Sequence, residues 1–113
     1  MNLRQFLNST VKTKKMTYND GTVHYYQQNR KRVVCEDGTS LSVQHSCFHY
    51  CSPRQDGVQA YSRVEVGYIK PTNVKIPESW NNYGEGDTEP SIWSYIPVEF
   101  VEDFINSHGG IAN

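Results

Sequence analysis

Long apolar runs are missing from this sequence. No segment approaches the ~20 apolar residues that span a bilayer, and Met1–Thr10 lacks the apolar core of a signal peptide. A soluble cytoplasmic protein without a membrane partner is expected. Cysteine is scarce and odd in number, with Cys35, Cys47 and Cys51 alone. That count argues against a disulfide framework and fits a reducing compartment. There is no C-x-x-C pair, no H-E-x-x-H and no Gly-rich oxyanion loop, so no motif names a reaction. The Gly84–Asp87 run is too irregular for a calcium loop. Apolar residues make up 36%, below the usual ~45–50%, so the core is modest. Neither an internal repeat nor a low-complexity tract is present, and 113 residues suffice for one domain, residues 1–113.

What the chain does have is aromatic surface and an uneven charge. Aromatics reach 12%, and eight of them are Tyr. Tyr combines a large contact area with a polar tip, which suits binding faces as well as half-buried sheets. Residues 1–57 carry eight Lys/Arg against four acids, and residues 58–113 carry three against eight. Such a dipole favours docking to a charged partner. Nucleic acid is not the expected one, because Arg30-Lys31-Arg32 is a short cluster in a polar turn.

The pattern reads as α+β: an antiparallel sheet of about four to six strands packed by a C-terminal helix. A short helix over Asn2–Leu7 is expected, with Asn2 as its cap. Asn19-Asp20-Gly21 marks a first hairpin and Asp37-Gly38 a second, between Arg32–Cys35 and Ser40–Tyr50. Ala60–Ile69 is the clearest later strand. Pro97–His108 is the best helix, with Val98, Val101, Phe104 and Ile105 as its stripe and Gly109-Gly110 beyond its end. Pro71–Tyr95 reads as a long loop pinned by Trp80, Tyr83 and Trp93, with Glu78, Glu85, Asp87 and Glu89 solvated.

Gly38–Arg54 places His45, Cys47, His49 and Cys51 at every second position, on one face of a strand if the strand runs that far. Pairing Ser42–Cys51 with Ala60–Ile69 would set Cys51 opposite Ala60 and Val43 opposite Tyr68. That face reads as core, since free cysteines behave as small buried hydrophobes. Outer members His45 and Cys51 would lie about 20 Å apart, too far to share one ion. A zinc site or an activated thiol would centre on His49 and Cys51 with ligands from elsewhere. No cofactor is expected. The opposite face would gather Phe48, Tyr50, Arg54, Tyr61, Arg63 and Glu65, the aromatic and guanidinium groups that bind a protein hot spot or a nucleotide.

Ser42-Val43-Gln44, His49-Tyr50-Cys51, Pro53-Arg54 and Val64-Glu65-Val66-Gly67 together resemble small uncharacterised accessory proteins of tailed bacteriophages and prophages, as does Ile96–Ile111. The resemblance covers about the last two thirds of the chain. It implies a non-enzymatic counter-defence role in the host cytoplasm: binding and inhibiting a host protein, a defence component being the expected target. A homo-oligomer that sequesters a nucleotide immune signal is the second expectation. The zinc or thiol enzyme at His49 and Cys51 is the third.

Overall fold

A computed structural model describes residues 1–85 and 90–113. Asp87 and Glu89, two of the acids expected to be solvated, lie outside the described residues. Helix α1, Leu3–Ser9, starts at Asn2 through a capping box: Asn2 Oδ1 accepts from Gln5 N at 2.8 Å and Gln5 Oε1 from Asn2 N at 2.9 Å. Two orphan amides of the first turn are thereby satisfied. The helix buries Leu3, Phe6 and Leu7.

Strands β1, Thr13–Thr17, and β2, Val23–Gln27, form a separate two-stranded antiparallel ribbon. Its turn is fixed by Asp20, which accepts from Thr22 N and Thr22 Oγ1. Gly21, at φ 86, supplies the left-handed residue the turn requires.

The main sheet contains β3, Val33–Val34; β4, Ser40–Gln44; β5, Arg63–Lys70; and β6, Ile92–Pro97. They lie in the order β3-β4-β5-β6, every pair antiparallel. Helix α2, Val98–Ser107, follows β6 directly and sinks Val98, Val101, Phe104 and Ile105 into the core with Val64, Val66, Ile96 and Trp80. Trp80, on a 3-10 helix Glu78–Tyr83, is fully buried against Trp93 and Phe104. After Gly110 the chain returns along β3, where Ala112 N donates to Val34 O and Asn113 brackets Val34 N and Arg32 O.

Three expectations need correction. First, β4 stops at Gln44 and does not run on to Tyr50 or Cys51. Ser46 ends it: its Oγ accepts from Phe48 N at 3.1 Å and bonds His49 Nδ1 at 2.5 Å, folding the chain into a turn. Second, the register is Val43 opposite Val66 and Gln44 opposite Glu65, not Val43 opposite Tyr68. Third, the stretch read as a long loop holds both the 3-10 helix and β6. The prolines upstream masked a short alternating strand.

Both ladders made by β5, with β4 and with β6, carry a β-bulge. Leu41 faces Tyr68 and Ile69 together, and Glu65 faces Ser94 and Tyr95 together. Each bulge holds a tyrosine in left-handed backbone, Tyr68 at φ 53 and Tyr95 at φ 55. Bulky residues adopt this region rarely, at a cost of about 1–2 kcal/mol each. Both side chains are exposed, and Tyr68 therefore leaves the core face that simple alternation from Val64 and Val66 assigns to it.

Candidate functional site

The bulge at Tyr95 meets the turn segment after β4, and the two are stitched through Tyr50. Tyr95 N donates to Tyr50 O at 2.9 Å, and Tyr50 N donates to Glu65 Oε2 at 2.9 Å. The result is a pair of exposed rings, Tyr50 and Tyr95, with centroids 6.0 Å apart. Arg54 lies over the Tyr50 ring at 5.1 Å and donates through Nε to Cys47 O. Arg63 donates to Tyr95 O at 2.7 Å, and its guanidinium lies 5.8 Å from the Tyr83 ring. Two rings and two guanidinium planes thus sit on one surface, with the backbone N–H and C=O of both Tyr50 and Tyr95 already satisfied.

Of the residues expected on the binding face, Tyr50, Arg54, Arg63 and Glu65 come together here. Phe48 is exposed but belongs to a different neighbourhood, against Tyr26 of β2 at 5.7 Å. Tyr61 is not on the surface. It is 4% exposed, stacks on His45 and donates its hydroxyl to Asn8 Oδ1 at 3.2 Å. The predicted alternation failed because Tyr61 precedes β5, where the chain is not yet extended in the sheet. Tyr95 takes the place assigned to Tyr61. Only the bulge exposes it, and no sequence signal marks the bulge.

The His/Cys run is dispersed. His45, Ser46 and Cys51 are buried, His49 is half-buried and Cys47 is exposed. Among the described residues no cluster of three or more His, Cys, Asp or Glu side chains is arranged to hold a metal ion. His49 Nδ1 is engaged by Ser46 Oγ, and Cys51 Sγ donates to Ser46 O at 3.2 Å. Burial pushes the Cys35 and Cys51 thiols up, and partial desolvation with the nearby Asp56 carboxylate does the same for Cys47. Burial lowers both His45 and His49. Neither the thiolate nor the imidazolium of an activated pair is favoured at neutral pH. Ser46 bonds to a histidine, yet its hydroxyl is buried beyond the reach of a substrate.

A groove of about 610 Å³ runs beside the other bulge, lined by Tyr68, Ile69, Val74, Ile76 and Trp93, with Lys70 as its cation among the described lining residues. The size suits a small ligand. The lining does not suit a nucleotide, whose phosphates call for several cations or convergent amides.

No protein-family model, no curated protein and no solved structure matches this chain.

Proposed function

We propose that this chain is a non-enzymatic binding protein of phage origin that docks on a host protein, a defence component, and inhibits it. The surface centred on Tyr50 and Tyr95 makes the contact. The supporting observation is the exposed ring pair flanked by Arg54 and Arg63, because Tyr and Arg are the residue types that dominate binding hot spots. Left-handed backbone at Tyr95 adds to it. Strain of that kind in a bulky exposed residue calls for a benefit outside the fold. The phage assignment is supported by the sequence resemblance. The raised thiols argue for binding over thiol catalysis, and the apolar groove argues for a protein target over a sequestered nucleotide.

The test uses the folded protein and its Tyr50→Ala/Tyr95→Ala variant. A bacterial protein retained by the wild type is purified and titrated against both by calorimetry. The variant is expected to bind at least tenfold more weakly, as loss of hot-spot residues implies, with an unchanged circular dichroism spectrum. Equal affinity in a folded variant would remove this surface from the proposal. Nucleotide found in the protein after gentle purification, by native mass spectrometry, would move the reading to the sequestering one.

A further inference from the structure

The β1–β2 ribbon stands apart from the rest of the fold. Neither strand joins the main sheet, all of β1 is exposed, and so are Val23, His24 and Tyr25 of β2. A lone two-stranded hairpin is marginal in water. Among the described residues this one is anchored near its base, where Tyr26 meets Phe48. There Gln27 donates its side-chain amide to His45 O, accepts from Gly57 N and donates its backbone N–H to Asp56 Oδ2 at 3.2 Å.

The ribbon is basic on one strand and aromatic on the other. Lys14 is paired with Tyr26 and Lys15 with Tyr25. Directly opposed residues in an antiparallel pair share a face, so each face presents an ammonium group beside a phenol ring. Lys12 extends the series, its carbonyl accepting from Gln28 N. Among the described residues none of these lysines forms an ion pair. The ribbon's one carboxylate, Asp20, is at the tip and already accepts two hydrogen bonds from Thr22. The sequence drew attention to Arg30-Lys31-Arg32, but Arg30 is buried. Lys12, Lys14 and Lys15 add exposed positive charge beside the still exposed Lys31.

The Lys14 face also forms an open depression of about 650 Å³ at the foot of the ribbon, lined by Lys14, Met16, Tyr26, Gln28, Asn29 and Phe48. Tyr26 and Phe48 supply rings, Phe48 being 61% exposed, and Gln28 and Asn29 carry amides that both donate and accept. A ring to stack on, amides for a base edge and lysines for phosphates are the components by which unpaired bases are held. Duplexes keep their bases stacked and would leave the depression empty.

We propose that the Lys14 face of the ribbon and the depression at its foot bind single-stranded nucleic acid, with a base on Tyr26 and Phe48 and phosphates on Lys12 and Lys14, two positions apart on one side of the strand, while Lys15 points to the other face. This surface is distinct from Tyr50 and Tyr95, and the two stand or fall separately.

Fluorescence anisotropy tests it with labelled oligo-dT and oligo-rU of about 12 nucleotides, within the usual single-strand site size, and a duplex of the same length. Both single strands are expected to bind. The salt slope should be about −1.4, which two phosphate contacts give on a single strand, and a preference between the two strands would tell DNA from RNA. Lys12→Glu/Lys14→Glu should abolish binding, Lys12→Arg/Lys14→Arg should preserve it, Lys15→Glu on the opposite face should weaken it much less, and Phe48→Ala should weaken it about tenfold. The Tyr50→Ala/Tyr95→Ala protein should bind as the wild type does. Circular dichroism confirms that each variant is folded. The proposal is overturned by no binding at low salt, by charge reversal without effect in a folded protein, or by duplex binding as tight as single-strand binding. It is equally overturned if sedimentation shows a dimer that Lys12→Glu/Lys14→Glu dissociates, since the ribbon would then pair with a second copy.

Discussion

His45 lies against Tyr61 with ring centroids 4.5 Å apart and 27° between the planes, wholly out of solvent. Neither ring nitrogen has a hydrogen-bond partner among the described residues. Burial, and then the Arg30 guanidinium, hold the imidazole neutral, while the carbonyls of Ser52 and Pro53 pull weakly the other way. The stack therefore depends on the uncharged ring.

A group whose folded pKa is depressed binds its proton more readily in the unfolded chain. For His45 the stabilising contribution is complete above its unfolded value of 6.5 and is lost as pH falls below it. Urea midpoints between about pH 5 and pH 8 should fall on the acid side. His45→Phe keeps an aromatic ring on Tyr61 and should flatten most of the slope. The remainder belongs to His49, lowered by burial in the same way. An unchanged slope in His45→Phe would mean the acid loss arises elsewhere.

Arg30 is buried without a carboxylate partner in the described structure. Its Nε donates to Leu7 O at 2.8 Å and its Nη1 to His45 O, so one guanidinium ties α1 to the segment that follows β4. Arg30→Met should destabilise the fold by about 2–3 kcal/mol through the loss of hydrogen bonds from a charged donor, although His45 O keeps the Gln27 amide and Leu7 O the Thr10 hydroxyl. Arg30→Lys should rescue little, because a single ammonium cannot reproduce the planar fork. Chemical denaturation measures both. A lysine variant as stable as the wild type would show that the charge matters and the fork does not.

The thiols give a direct readout of local burial. Cys47 is exposed, and Cys35 and Cys51 are buried. One thiol per chain should react with a disulfide reagent in the native state, and Cys47→Ser should remove that reaction. The rate should not exceed that of a simple thiol, because Cys47 is pushed up and not down. A fast native reaction at Cys51, or zinc in stoichiometric amount by elemental analysis, would revive the enzyme reading at His49 and Cys51.

Local rules read well where one element decides its own structure. The Asn2 cap, the Gly21 turn and the stripe from Val98 to Ile105 are all dictated within a few residues, and each formed where expected. Position 45 onward is different. His45, Cys47, His49 and Cys51 alternate as a strand does, but Ser46 caps a turn that alternation cannot anticipate. The candidate surface was half legible for the same reason. Tyr50, Arg54, Arg63 and Glu65 are close in sequence to the turn that gathers them, whereas Tyr95 arrives from a strand hidden behind prolines and a bulge. A bulge is a property of two paired strands, so no single segment announces it.

Tyr95 allows strain and packing to be separated. At φ 55 its Cβ costs about 1–2 kcal/mol that glycine would not incur. Its contact with Tyr50 contributes about 0.5–1.5 kcal/mol. The two nearly offset, so Tyr95→Gly should leave unfolding free energy within about 1 kcal/mol of the wild type. Tyr95→Val loses the ring contact, keeps the Cβ and adds β-branching, which tolerates this region worst. It should be the less stable of the two. Binding should behave otherwise, with glycine and valine both losing it because the ring itself makes the contact. Urea unfolding and calorimetric titration on the same two variants separate the cases. If glycine cost more than about 2 kcal/mol, the ring would be holding the sheet together, and the strain would have to be counted as a cost of folding instead of binding.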